Sequence, residues 1–330
     1  MKLFLTGATG FIGRRLCRRL ASTSHTLRCL VRDLEKAQAL LPGVELVRGD
    51  VTDPASVRQG LVGCEAVIHL ANIYSFWERD PSRYQAVNVE GTRHVLEAAL
   101  EAGVYRMVHV SSAVIFGKPA QVPFTEESPP GPERFSEYAR SKYAGDQLAR
   151  ALRDQGLPLV VLYPCGVLGA GDPKGSGQYL ADLVRGRMPA TVLPDAILTW
   201  VHVADVAEAI ALTVDKPGIE GKEYIVGREQ FSFRQFNQLV RELSGVALPR
   251  LNLPDVTVMP IARLLTGLAH LTGNPPWWGL AVDQVRTVQA GFRAGGHRAE
   301  RELGLVYTPI REAIAEAIAE LKKPKPPSRR

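Results

Sequence analysis

Five residues from its start, the chain runs Thr6-Gly7-Ala8-Thr9-Gly10-Phe11-Ile12-Gly13, directly after Lys2-Leu3-Phe4-Leu5. This reads as a strand, a glycine-rich turn and a helix start. Each glycine has its own reason: Gly7 permits the tight turn out of the strand, Gly10 lets a phosphate group approach the backbone, and Gly13 lets the helix pack closely on the sheet. Free N–H groups at the helix start then hold the anion. The apolar strand before the run and the helix formers Arg14 to Leu20 after it supply the context that a bare glycine spacing lacks.

Apolar runs alternate with helical stretches through the first half. Strands are expected at Lys2 to Thr6, Thr26 to Val31, Val44 to Val47, Ala66 to Leu70, Arg106 to Val110 and Leu159 to Leu162. Helices are expected at Phe11 to Ser22, Leu34 to Leu41, Pro54 to Leu61, Tyr84 to Ala102 and Ser136 to Gln155. Strands apolar throughout, joined by crossover helices, imply an α/β, doubly wound parallel sheet covered on both faces. From Gly166 the rhythm changes. Ala196 to His202 and Lys222 to Val226 read as strands; Val203 to Thr213, Ser232 to Leu243, Val256 to Leu271 and Pro309 to Leu321 read as helices. The expected division is residues 1–165 for the dinucleotide-binding part and 166–320 for a smaller mixed lobe over the carboxyl ends of the strands, with some segments returning to the first part. A disordered basic tail at 321–330 completes it.

At 330 residues with 45% apolar and 22% charged residues, the chain can bury a large core. No apolar stretch of about 18 residues is present, so no membrane span is expected. The first strand begins at Lys2, which leaves no room for a cleaved leader, so a cytoplasmic location is expected. Cys17, Cys29, Cys64 and Cys165 are widely spaced and lack clustered histidines; neither a metal site nor a disulfide framework is indicated. The net charge of +6 is scattered, apart from the tail and Arg14, Arg15, Arg18 and Arg19, read as a solvated helix face near an anionic cofactor. No nucleic-acid partner is expected.

Tyr138 and Lys142 lie four positions apart, on one face of a helix. An ammonium near a phenol favours the phenolate and lowers its pKa toward working pH, which equips Tyr138 for acid or base catalysis. Ser111-Ser112-Ala113 follows the strand ending at Val110, at the carboxyl edge where ligands bind such sheets. A serine hydroxyl there can donate to a carbonyl oxygen on which charge develops.

In this order the motifs resemble the extended short-chain dehydrogenases/reductases. The resemblance runs nearly end to end, through Gly49-Asp50-Val51, His69-Leu70-Ala71, Asn88 to Thr92, Ser111 to Ala113, Tyr138 to Lys142, Tyr163 to Val167, Val201 to Val206 and Arg298 to Gly304. Val31-Arg32, Arg187 to Ala190 and Val201 to Val203 look most like the dihydroflavonol-4-reductase-like and 3β-hydroxysteroid-dehydrogenase-like branch. The resemblance implies Tyr138 as proton donor, Lys142 as a further contact to the nicotinamide ribose, and Ser112, with Ser111 as second choice, to orient the carbonyl. It also implies cofactor contacts from Gly7, Thr9, Gly10, Phe11 and Ile12, from Asp50 and Val51 beside the adenine, from Leu70, Ala71 and Asn72 along its path, and from Pro164, Gly166 and Val167 near the nicotinamide. Asn88 suits either catalysis or the tying of two backbone segments; His202 and Asp205 are read as structural. A homodimer through two helices per subunit is implied, with the apolar positions on Val87 to Leu100 and Tyr143 to Leu152 serving either that interface or ordinary packing.

The end of the second strand discriminates between cofactors. Arg32 at the tip, with Lys36 one turn beyond Asp33, suits a 2′-phosphate and favours NADP (NADPH). A one-residue shift would instead offer Asp33 to the ribose and favour NAD; the alternative for Asp33 is an N-cap of the next helix. Three aromatics in Asn72-Ile73-Tyr74-Ser75-Phe76-Trp77, with Trp277 and Trp278, either clamp a flat apolar substrate or serve as core or dimer contacts. Tyr163 and Phe116 stand where relatives carry Arg and Tyr, which leans toward a less polar pocket. The expected activity is NADPH-dependent reduction of a fairly apolar ketone or aldehyde, such as a dihydroflavonol-like compound, or its reverse. Nucleotide-sugar epimerisation or dehydration, with Arg185 and Arg187 as phosphate contacts, is the alternative, and a non-catalytic cofactor sensor is a third.

Overall fold

The computed structural model describes residues 1–323. Its twelve strands are β1 Lys2–Thr6, β2 Thr26–Val31, β3 Glu45–Arg48, β4 Ala66–His69, β5 Arg106–Val110, β6 Leu159–Pro164, β7 Gly166–Leu168, β8 Ala190–Thr191, β9 Ile197–His202, β10 Glu223–Val226, β11 Glu229–Ser232 and β12 Leu251–Asn252. Its α-helices are α1 Phe11–Leu20, α2 Leu34–Leu40, α3 Pro54–Leu61, α4 Gly91–Glu101, α5 Glu137–Arg153, α6 Gly175–Val184, α7 Val203–Asp215, α8 Phe233–Ser244, α9 Asp255–Thr272, α10 Val282–Ala290 and α11 Ile310–Lys322.

Seven strands form one parallel sheet in the order β10-β6-β5-β4-β1-β2-β3. The central strands β4, β5 and β6 are buried at every position, because helices cover both faces. The sequence order reverses at the β1/β4 pair, so the loops leaving these two strands diverge and open a crevice at their carboxyl ends.

On one face α1 turns Gly13, Leu16, Cys17 and Leu20 inward, at spacings that make a helical stripe, and packs beside α7. On the other face α3, α4 and α5 cover a second core that includes Phe4, Val95, Leu96 and Val161. Short sheets β11-β9-β7 and β12-β8, with the helices of the later half, enclose a third core around Trp200 and Phe236. Two segments of the later half, β10 and α7, join the large sheet.

Two sequence expectations are corrected here. The basic residues of α1 are not a free face: Arg14 and Arg15 donate to the carbonyls of Gly171 and Ala170, and Arg19 pairs with Glu208. They tie α1 to later segments, and only Arg18 is exposed. Leu321 and Lys322, expected in the tail, belong to α11; the rest of that expected tail, residues 324–330, lies outside the described part. No helix among the described residues is long and apolar enough to cross a membrane.

Candidate active site

Apart from Tyr138 and Lys142 on α5, the residues expected in the site lie at the carboxyl ends of strands in the large sheet. Gly7 to Ile12 follow β1, Arg32 and Lys36 follow β2, Asp50 and Val51 follow β3, Leu70 to Asn72 follow β4, Ser112 follows β5, and Gly166 and Val167 follow Pro164 at the end of β6. The parallel sheet thus converges them on the crevice, whatever their separation in sequence.

The turn after β1 is held by its glycines. Gly7 has φ +75°, and a Cβ there would lie 2.6 Å from the backbone nitrogen of Ala71, so only glycine lets the β1 and β4 loops touch at the switch point. At Gly13 a Cβ would run into the backbone of Gly7 and Ala8. Gly10 is the N-cap of α1 and offers no side-chain acceptor, so the first N–H groups of the helix face outward without an internal partner. Uncapped donors on a glycine surface fit the pyrophosphate of a dinucleotide.

At the end of β2 the two candidates separate. The Asp33 carboxylate caps α2, accepting from the Lys36 N–H at 3.0 Å. Arg32 keeps 75% of its side chain exposed, with only a long 3.9 Å approach to Asp50. Asp50 also accepts from the Thr52 N–H and hydroxyl, and the Val51 carbonyl is hydrogen-bonded to His94.

Ser112, Tyr138 and Lys142 meet at the end of β5. Ser112 caps the short turn Ala113–Phe116, and its hydroxyl lies close to the Tyr138 phenol. α5 starts at its Ser136 cap, which places Tyr138 and Lys142 on its inward face. Lys142 is buried and donates to the Val110 carbonyl at 3.0 Å. The expected lowering of the phenol pKa is not what the arrangement produces. Burial pushes Tyr138 up to about 12, with the Ser112 hydrogen bond opposing it. Burial also lowers Lys142 to about 8, with Asp146 opposing. Desolvation is the largest cause in both, and the Lys142 ammonium is turned to the Val110 carbonyl.

Ser111 stands apart from this group, buried with its hydroxyl unpartnered. Asn88, in the π-helical turn Tyr84–Glu90, accepts from the Ile73 N–H and donates to the Ile73 carbonyl and to Ser141. It thereby ties the β4 loop to α5. His202 caps α7, and Asp205 accepts from the Thr308 N–H and hydroxyl.

The aromatic residues divide. Tyr74 and Phe76 contact the Tyr138 ring edge-on at centroid distances of 5.3 and 6.0 Å. Trp277 and Trp278 lie on an exposed turn after α9 and touch each other. Tyr163 and Phe116 give no information on the pocket. Both are buried in the α5-side core; Phe116 packs on Phe124 and Tyr163, whose hydroxyl donates to Glu223.

Sequence reasoning did not single out His109. It stacks on His69 at 5.5 Å behind the site, and His69 joins Thr6 to Thr92. Burial lowers His69 to about 3, and the Lys142 charge acts the same way; His109 falls well below the usual histidine range for the same two reasons. Both rings are therefore neutral beneath the cation. Histidines inside apolar strands carry no periodic signal that would have flagged them.

The chain is 34% identical over 325 residues to sterol demethylase protein B of Methylococcus capsulatus, covering 97% of this chain and 98% of that one. It is 30% identical over 324 residues to a putative dihydroflavonol 4-reductase of Synechocystis, covering 96% and 93%. The crystal structure of gox2253 superposes with a TM-score of 0.81 at 33% identity, covering 96% of this chain and 97% of that one. With residues 3–227 matching its model, the chain belongs to the NAD dependent epimerase/dehydratase family, the extended short-chain dehydrogenases/reductases.

Proposed function

We propose that the protein is an NADPH-dependent reductase of an apolar ketone or aldehyde, with Tyr138 protonating the carbonyl oxygen. The observation that carries the reading is the Tyr138 phenol, set close to Ser112 and flanked by the rings of Tyr74 and Phe76. When bound, NADPH supplies a hydride. Gly7 to Gly13 would hold its pyrophosphate, and the exposed guanidinium of Arg32, with Lys36, its 2′-phosphate. Ser112 donates to the substrate oxygen and holds it beside the phenol. A phenol pushed up to about 12 remains protonated at neutral pH, as a proton donor requires. Lys142, at about 8, is still charged there and stabilises the phenolate left behind.

Similarity to proteins named for sterols and dihydroflavonols supports a ring-bearing apolar substrate. The sugar-nucleotide alternative has weaker support: Arg187 is paired with Asp182, and the Asp33 carboxylate caps α2. We also propose that the protein acts as a homodimer through α4 and α5.

The test is Tyr138→Phe, assayed with NADPH against aromatic ketones, aldehydes, dihydroflavonols and UDP-sugars. Turnover is expected to fall by about 10²–10⁴-fold, with NADPH affinity unchanged. Unaltered turnover overturns the mechanism, and conversion of a UDP-sugar without net cofactor oxidation overturns the reductase reading.

A further inference from the structure

α9 exposes an apolar face. Val256, Pro260, Leu264, Leu268 and Leu271 recur at spacings of three and four and point outward, while Val258, Ala262, Leu265 and Ala269 face the core. Val256 is 83% exposed, Leu264 65% and Leu271 85%; the following turn adds Trp277 at 66%. So large a patch of leucine and tryptophan on a surface marks an interaction site.

Its charge identifies the partner. Between Asp255 and Asp283 the chain contains no Asp or Glu; exposed Arg263 on α9, and exposed Arg250 and Arg286 on the segments flanking it, outnumber the one exposed carboxylate of the helix, Asp255. A second copy docked by two-fold symmetry would set these cations against one another. The C-terminal segment, with Lys325, Arg329 and Arg330, carries the same sign. Leucine and tryptophan bordered by arginine match the boundary between acyl chains and anionic headgroups.

The face is continuous with the site. His270 on α9 packs against Trp77 at 5.9 Å, and the Arg79 guanidinium lies over Gly273 at the end of the helix. Trp77 adjoins Phe76, which rests on Tyr138. We infer that α9 and the Trp277-Trp278 turn lie on the surface of an anionic lipid bilayer, and that the substrate passes from the lipid along Trp77 and Phe76 to Tyr138. The route rests on the reductase reading; the docking does not.

The full chain is sedimented with phosphatidylcholine vesicles prepared with and without phosphatidylglycerol. Binding to the phosphatidylglycerol vesicles is expected, weakening as salt is raised. The double substitution Leu264→Glu/Leu271→Glu should reduce partitioning by at least about tenfold while preserving the melting temperature and NADPH affinity. Failure of the unsubstituted protein to bind, or equal binding by the variant, overturns the inference. So does self-association that the variant disperses in light scattering while no vesicle is bound. Vesicle binding without turnover of any carbonyl would retain the docking and reject only the reductase reading.

Discussion

Arg32 and Asp33 are adjacent in sequence, and the direction of one strand end separates their tasks. The Asp33 carboxylate is consumed by the first turn of α2, whereas the Arg32 guanidinium stands in solvent. Arg32→Ala should weaken NADPH binding by about 10–100-fold, the loss of a charge-assisted contact, and leave NADH binding unchanged. Asp33→Ala should cost about 1 kcal/mol of stability as a lost cap, with no change in cofactor preference. Fluorescence titration and urea unfolding of the two variants measure both effects; an NADH affinity that depends on Asp33 would reverse the assignment. The sequence favoured Arg32 for the cofactor and left Asp33 as cap or ribose partner, because a one-residue difference at a strand end exchanges their environments; the cap is what forms. Lys142 was visible too, yet its environment was not, since spacing reports a shared helix face and not desolvation. Its pKa falls from its ordinary value to about 8 because it is buried. Between about pH 8 and the unfolded value the unfolded chain binds the extra proton, so stability rises with pH across that window and is lost as pH falls through 8. Chemical denaturation should show a rise of up to about 3 kcal/mol in the unsubstituted protein that is missing in Lys142→Met.

The elements of the first half were legible to within a few residues, because most are apolar strands or amphipathic helices with a cap such as Asp53 before Pro54. Of the features that were not, two bear on the site. The stretch read as one helix from Tyr84 to Ala102 is a π-helical turn through Glu90 followed by α4; the hydrophobic period does not distinguish the two. α6 was hidden because it begins inside the glycine-rich stretch Gly169 to Gly177, a loop signature; Gly175 has φ +49°, and a Cβ there would run into the Tyr74 hydroxyl. The π-helical turn has a consequence for the site, since it presents Asn88 to the β4 loop and to α5 at once. Asn88→Ala removes three hydrogen bonds and leaves the Ile73 N–H and carbonyl without partners. A loss of about 2–3 kcal/mol is expected in urea unfolding, and limited proteolysis should cut between residues 72 and 77, where the loop over Tyr138 is released. A variant as resistant as the unsubstituted protein would show that the aromatic contacts hold that loop unaided.

For the whole molecule, α4 and α5 leave a cleft of about 260 Å³ on the outer side of the sheet, with Leu100, Leu148 and Leu152 on its floor. The sequence offered two readings for these positions, an interface or ordinary packing, because periodicity records that a helix face is apolar and not what covers it. Within the monomer all three leucines remain partly exposed. The charges at the rim are already balanced, with Arg93 set between Glu90 and Glu97. A two-fold mate would therefore meet an apolar strip inside a neutral border, the opposite of the arginine-edged face on α9. Light scattering at micromolar concentration should report a dimer, and Leu148→Asp/Leu152→Asp should convert it to a monomer by burying two carboxylates without partners. Tyr138 and Lys142 lie on the inward face of the same α5, so the monomer should still bind NADPH and reduce a soluble carbonyl. A monomeric unsubstituted protein would remove the dimer proposal and leave the cleft an ordinary surface groove. Lost cofactor binding in the monomer would instead show that the helix pair is held straight by its mate, coupling assembly to the geometry of the catalytic tyrosine.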